Sequence, residues 1–213
     1  MKNNLQSSML LLLLFISFHA NAQSRSDVFT ASVPLTWLGI DFSELKFIGP
    51  ASGWGTESTK SPAEMRDTYF QVWNQFVEKE PKNFRLDEAT GRKQVEYFTD
   101  VVRVINEKSN KKEIFSESGS DYQSLAEADI QRMVKRYDCK GRTGIGFVLI
   151  AEGMSKIREE GSFWVTFIDM KSGKVLFTKR VTGVASGFGF RNYWLGSIKS
   201  VIKQMKKDFK RWE

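Results

Sequence analysis

The sequence has few of the side chains on which nucleophilic hydrolases and metal sites depend. Among 213 residues it contains one histidine, His19, and one cysteine, Cys139. His19 lies in an amino-terminal segment that we expect to be removed, which leaves the remaining chain without an imidazole. This excludes a Ser-His-Asp or Cys-His nucleophile and any zinc site that uses histidine. We therefore expect no catalytic triad, no metal ligands and no cofactor.

A single cysteine also excludes a disulfide bond within the chain. The core must then be large enough to hold without such a crosslink. A lone thiol can pair with another chain or act as a reactive group. Because Asp138 and Lys140 offset each other's charge around it, we expect Cys139 to be an unreactive, partly covered side chain.

Long apolar runs are missing as well. The longest lies in the ten residues 9–18, which are apolar except for Ser17, whereas a helix that spans a bilayer needs about 20. Lys2 precedes this run and Ala20-Asn21-Ala22 follows it, which is typical of a signal peptide over residues 1–22, cleaved after Ala22. The next residue is Gln23, not the cysteine that a lipid anchor requires. We expect a periplasmic or secreted protein without a transmembrane segment, folded as one domain over residues 23–213.

The chain is basic, with 32 Lys and Arg against 25 Asp and Glu. Such a balance favours anionic partners. The basic residues are scattered except in the last helix, and we expect no nucleic-acid partner. The helix carries six cations opposite its apolar face, which we interpret as a solvated face, although basic amphipathic helices also bind membrane surfaces. They are Lys199, Lys203, Lys206, Lys207, Lys210 and Arg211.

Residues 162–212 give the clearest fold signal. Residues 163–168 are rich in β-branched and aromatic side chains, and a turn at Gly173 leads into a second strand over residues 175–184. A helix is predicted to begin near Phe190. Its apolar residues recur at the period of one helix face over about five turns. They are Trp194, Ile198, Val201, Ile202, Met205, Phe209 and Trp212.

The rest of the chain alternates between strand and helix patterns. We predict strands over residues 33–42 and 144–151, a long loop over 48–60, and helices that begin with capping boxes at Ser61 and Ser124. Residues 91–108 fit either a strand followed by a short helix or one helix. These patterns predict an α/β (α+β) fold, with a mixed, partly antiparallel sheet of about four to five strands, helices packed on it and a long carboxy-terminal amphipathic helix.

The hairpin at Asp169-Met170-Lys171-Ser172-Gly173 resembles one in small bacterial envelope domains, in which Asp-x-x-Ser/Thr-Gly joins two apolar strands. These are the periplasmic domain of the curli secretion channel, the lipoprotein activators of peptidoglycan synthases and the amino-terminal domain of TolB. The final helix is similar too. The resemblance implies a mixed α/β domain that binds other envelope components and is not an enzyme. The chain departs from many of these proteins in having no acylated cysteine.

Two places are candidate ligand sites. Gly187, Gly189, Arg191 and Asn192 surround the start of the last helix, where free amides and an arginine can hold an anion. Glycines at this point also simply let the chain turn from strand to helix. Trp54 lies between two glycines on the long loop, so its indole either contacts a sugar or partner protein, or packs against its own core.

We therefore expect an exported, non-catalytic domain that binds an envelope protein or glycan. The alternative is a carboxylate-dependent enzyme acting on cell-envelope glycan, with Glu152 and Asp169 as its pair of acids. A homo-oligomeric structural component is a third possibility.

Overall fold

A computed structural model describes residues 22–109 and 113–213 of the chain. The signal-peptide prediction lies outside these residues, apart from Ala22. The strands are β1 Leu35–Asp41, β2 Lys46–Ile48, β3 Glu96–Tyr97, β4 Phe115–Ser116, β5 Ile145–Ser155, β6 Glu160–Asp169 and β7 Lys174–Val184. The helices are α1 Arg25–Phe29, α2 Pro62–Met65, α3 Gln71–Lys79, α4 Pro81–Phe84, α5 Leu86–Thr90, α6 Asp100–Glu107, α7 Glu127–Val134 and α8 Gly189–Asp208. Three 3₁₀ segments cover Ala51–Thr59, Gly119–Gln123 and Phe209–Trp212, and a π-helical turn at Arg66–Phe70 joins α2 to α3.

The central strand of the sheet is β5. The strand β6 pairs antiparallel with it along its whole length, and β7 pairs antiparallel with β6. On the other edge, β1 and β2 lie one after the other and both run parallel to β5. Outside them, β3 pairs in parallel with β1, and β4 with β2. The sheet is therefore parallel on one side of β5 and antiparallel on the other.

The mixed α/β class and the hairpin of β6 and β7 are confirmed, but the predicted strand number is wrong. Within the residues that the structure describes, the sheet has seven strands. The sequence did not indicate β2 and β4. Only Ile48 of β2 lies in the predicted loop over 48–60, and no element was predicted around β4. The parallel pairing of β1 to β5 was not indicated either. Strands of two or three residues are too short to show an alternating pattern.

Helices cover both faces of the sheet because alternate residues of β5 point to opposite sides. Phe147 and Leu149 belong to a cluster shared with α2 to α5 and α8. Val148 and Ile150 belong to a second cluster, shared with α6 and α7. One hydrophobic core therefore lies on each face of the sheet.

The predicted apolar face of the last helix is confirmed. Trp194, Ile198 and Val201 are at most 1% exposed. Ile202, Met205 and Phe209 are also buried, and Trp212 is half-buried beside Phe177. The helix α8 packs against β6 and β7, so the hairpin and this helix form one unit.

The capping box at Ser61 is confirmed, whereas the one at Ser124 is wrong. The backbone N–H of Ser61 donates to Glu64 Oε2 at 2.7 Å, and the N–H of Glu64 donates to Ser61 Oγ at 3.2 Å. In the second case the helix begins at Glu127, because Asp129 accepts a hydrogen bond from the N–H of Ala126 at 2.7 Å. Among residues 91–108, the strand-then-helix alternative is confirmed by β3 and α6.

Two buried asparagines complete the outer edge of β1 beyond the point where β3 ends. Asn74 Oδ1 accepts a hydrogen bond from the N–H of Ile40 at 2.7 Å, and Asn106 Oδ1 accepts one from the N–H of Phe42 at 2.8 Å. Both side-chain amides donate to the carbonyl oxygen of Ile40 at 3.0 Å. Because α3 supplies Asn74 and α6 supplies Asn106, these bonds also tie helices from opposite faces to one strand.

The amino-terminal segment is held by a buried arginine. The guanidinium of Arg92 donates to the carbonyl oxygens of Val33 and Val28 at 2.9 Å, and to those of Asp27 and Thr90 at 3.1 Å. Burial lowers the pKa of Arg92 from its usual value. This side chain therefore fixes α1 and the segment leading into β1 to the body of the domain.

Replacing Asn106 with alanine should lower the free energy of unfolding by about 3 kcal/mol, because the buried N–H of Phe42 loses its acceptor. Urea unfolding measures the loss. The matched control is Asn83→Ala, which removes an exposed amide bonded to Glu80 and should change stability by less than about 0.5 kcal/mol. Equal losses in the two variants would show that the edge of β1 does not depend on Asn106.

Candidate functional site

Three segments that are distant in sequence meet at one end of the sheet. They are the 3₁₀ segment after β2, the turn between β5 and β6 over residues 156–159, and the loop between β7 and α8. Between them lies a cleft of about 350 Å³, which we call the glycine cleft. Its lining residues are Gly53, Trp54, Lys156, Gly187, Gly189, Phe190, Tyr193 and Trp194. Three of the five predicted site residues, Trp54, Gly187 and Gly189, therefore line the same cleft.

Trp54 packs against its own core, so this alternative is confirmed. The side chain is 5% exposed, and its Nε1 donates to the carbonyl oxygen of Gly49 at 3.2 Å. Its rings lie 5.5 Å from the ring of Phe47 and 5.7 Å from those of Trp194, measured between centroids. The indole is thus a wall of the cleft and not a projecting contact. The expected loop around it is a 3₁₀ segment.

Lys156 provides the only formal charge among the residues that line the cleft. Its Nζ lies 4.2 Å from the ring centroid of Tyr193, within the range of a cation–π contact. Burial raises the pKa of Tyr193, and the nearby carboxylate of Glu159 adds to this effect. The cleft therefore combines aromatic walls with one ammonium group.

Arg191 and Asn192 do not line the cleft. The guanidinium of Arg191 lies 5.4 Å from the ring centroid of Phe76, and its Nε donates to Asn192 Oδ1 at 3.3 Å. Successive residues of a helix are about 100° apart around its axis. Since Phe190, Tyr193 and Trp194 face the cleft, the two intervening residues face away from it. Asn192 lies beside Gly187, since a Cβ on Gly187 would be 3.3 Å from Asn192 Cβ, but its side chain does not enter the cleft. No side chain caps the first turn of α8.

The sequence reasoning missed a group of exposed apolar side chains beside the cleft. In the described residues, Phe188 is 94% exposed, Ile157 73% and Val184 62%. We call these three residues the apolar tip. They come together because the N–H of Ala185 donates to the carbonyl oxygen of Glu159 at 2.8 Å, which joins the β7–α8 loop to the β5–β6 turn. A phenylalanine between two glycines, Gly187 and Gly189, was the available signal.

Glu152 and Asp169 do not form a pair of catalytic acids. Asp169 lies opposite Ile145 in the sheet, seven residues along β5 from Glu152, which corresponds to roughly 20 Å. Glycosidases hold their two carboxyl groups about 5 to 10 Å apart. The predicted pairing is therefore wrong.

The side chain of Glu152 has a structural role. The carboxylate is fully buried and accepts hydrogen bonds from Arg180 Nε at 2.7 Å, from Ser162 Oγ at 2.7 Å and from the N–H of Leu125 at 3.2 Å. Arg180 also donates to the carbonyl oxygen of Leu125 and lies over the ring of Trp164. These contacts fix the segment that precedes α7 to the sheet.

Cys139 is buried, more completely than the sequence indicated. Burial raises the pKa of its thiol, and the charge of Asp138 raises it further. The reactive thiolate is thereby disfavoured. In residues 22–109 and 113–213, His, Cys, Asp and Glu side chains form no group of three or more that could hold a metal ion. Over the same ranges, no helix combines the length and apolarity needed to cross a bilayer.

Comparison with protein-family models, with curated proteins and with solved structures finds no match. The resemblance to envelope domains therefore stays a prediction that is based on the hairpin. The turn itself has a local physical cause, because the N–H of Gly173 donates to the carbonyl oxygen of Asp169 and the N–H of Lys171 to its carboxylate, both at 2.9 Å.

Replacing Arg180 with methionine should destabilise the protein by about 3 kcal/mol or more, because it leaves the buried Glu152 carboxylate without its cation. Chemical denaturation measures this loss. In a Glu152→Gln background the same substitution should cost much less, since no buried charge remains. If the two costs were equal, the ion pair would contribute nothing beyond the packing of Arg180.

Proposed function

We propose that the protein is an exported, non-catalytic domain that binds a partner of the cell envelope in the glycine cleft. The observation that carries this proposal is the convergence of three separate segments on one aromatic-walled cleft. Concave sites with apolar walls and a few polar groups are where proteins usually bind ligands. The cleft is also next to the exposed apolar tip.

The composition of the cleft supports binding and not catalysis. None of its eight lining residues is an aspartate, glutamate, histidine, serine, threonine or cysteine. General acid–base or nucleophilic catalysis draws mainly on those side chains. Lys156 and Tyr193 remain, and the ammonium of Lys156 contacts the ring of Tyr193 in a cation–π interaction.

Of the two partner classes expected from the sequence, a protein suits the cleft better than a glycan. A sugar presents many hydroxyl groups, and burying them against aromatic walls with one ammonium group would leave most of them unpaired. An apolar side chain of a partner protein is desolvated favourably by such walls. A neighbouring carboxylate on the same partner would complement the ammonium of Lys156.

Gly53 offers a way to fill the cleft without straining the backbone. A Cβ atom at this position would meet Lys156 Cγ at 3.4 Å, which is ordinary contact, and the residue does not have a positive φ. Gly119 is a matched control, since it also lacks a positive φ and a Cβ there would meet nothing within 4 Å. Gly53→Phe should therefore block the cleft, whereas Gly119→Phe should not affect it.

The test is photo-crosslinking in cells that produce the protein, with a photoreactive phenylalanine in place of Tyr193. We expect a discrete crosslinked species that is lost in the Gly53→Phe background and retained with Gly119→Phe. Digestion with a protease or with a muramidase identifies the partner as protein or glycan. The proposal fails if no species forms, or if filling the cleft leaves its yield unchanged.

A further inference from the structure

We infer that the apolar tip docks the domain on an anionic lipid bilayer, with Phe188 and Ile157 inserted at the level of the headgroups. Ile157 is on the β5–β6 turn, Phe188 is on the β7–α8 loop and Val184 ends β7. The three side chains of the apolar tip project outwards from adjoining segments, so they are placed to enter a lipid surface. Apolar residues next to cations are the composition of interfacial anchors.

The cations around the tip complement an anionic surface. Lys156 and Arg158 are in the same turn as Ile157, and Arg191 is in the first turn of α8. Lys203 follows Ser200 by about one helical turn, and the hydroxyl of Ser200 accepts a hydrogen bond from the N–H of Val184 at 3.1 Å. Each such cation near an anionic leaflet adds to its attraction for the protein.

The carboxylates of the same turn reduce this attraction but do not cancel it. Glu160 accepts a hydrogen bond from the hydroxyl of Tyr122 at 2.9 Å, and Glu159 lies near the hydroxyl of Tyr193. Glu160 is therefore turned to a contact within the domain, whereas Glu159 is exposed. In the turn, Lys156 and Arg158 balance Glu159 and Glu160, so the excess of positive charge on this side of the domain comes from the cations of α8.

The size of the tip favours a lipid surface over a second protein. A stable protein interface buries about 800 Å² on each partner and involves about 20 to 30 residues. Three exposed apolar side chains cannot form the centre of such an interface. A bilayer, in contrast, takes up a few inserted side chains backed by cations, and this binding does not depend on what occupies the glycine cleft.

The experiment is sedimentation of the purified domain, residues 23–213, with vesicles at low salt. Wild-type protein should bind vesicles of phosphatidylethanolamine and phosphatidylglycerol and remain in the supernatant with phosphatidylcholine alone. Phe188→Ala should lower the partition coefficient about tenfold, since it removes one inserted aromatic side chain. Ile157→Ala should lower it as well, and raising the salt concentration should weaken binding in every variant.

Two variants that each lose one positive charge distinguish binding through the apolar tip from attraction caused by the net positive charge of the protein. Arg158→Gln and Lys210→Gln each remove one positive charge, but Lys210 lies in the 3₁₀ segment Phe209–Trp212, beyond the opposite end of α8. The first should weaken binding several-fold and the second should leave it nearly unchanged. Circular dichroism checks that each variant is folded.

The inference is overturned if wild-type protein stays in the supernatant with anionic vesicles, or if Phe188→Ala binds as well as wild type. Gly53→Phe should sediment nearly like wild type, because it fills the cleft but leaves Phe188 and Ile157 exposed, and Lys156, which borders both, keeps its charge. If no crosslinked species forms at position 193 while vesicle binding is intact, the proposed function alone is refuted. Crosslinking in the cleft without vesicle binding refutes this inference alone.

Discussion

The packing of α8 on the β6–β7 hairpin is the interaction on which the rest of the structure depends. Trp194, Ile198 and Val201 bury one face of the helix against the sheet. The first turn of the helix is thereby fixed in position, and with it Phe190 and Tyr193 in the wall of the cleft. A helix that frayed from the sheet would remove this wall and would also uncover Phe47 in the parallel half of the sheet.

The strand arrangement explains why the cleft and the apolar tip share one end of the molecule. Since β2 follows β1 along the same edge of β5, the chain leaves β2 beside the carboxyl end of β5. The 3₁₀ segment with Trp54 is therefore placed next to the β5–β6 turn. The antiparallel return of β7 brings the β7–α8 loop to the same place. The mixed parallel and antiparallel pairing is what gathers these segments.

Long elements with a sustained apolar period could be predicted from the sequence, whereas short ones could not. The helix α8 and the strands β1, β5, β6 and β7 show their burial pattern over many residues. The strands β2 and β4 are fixed by strands that are distant in the chain. The start of α7 depends on whether Glu127 or Asp129 accepts the capping hydrogen bond. The sequence indicated Trp54, Gly187 and Gly189 in the site. It did not indicate Lys156 or Tyr193, because only the tertiary fold brings a turn lysine onto a helix tyrosine.

The contacts of Arg92 have a consequence for the behaviour of the protein in acid. Its partners are four backbone carbonyl oxygens and no carboxylate. Carbonyl groups keep their acceptor character at every pH at which proteins are studied, while carboxylates lose theirs on protonation. The hydrogen bonds of Arg92 to the start of the domain should therefore persist at an acidic pH that breaks the ion pairs of the surface.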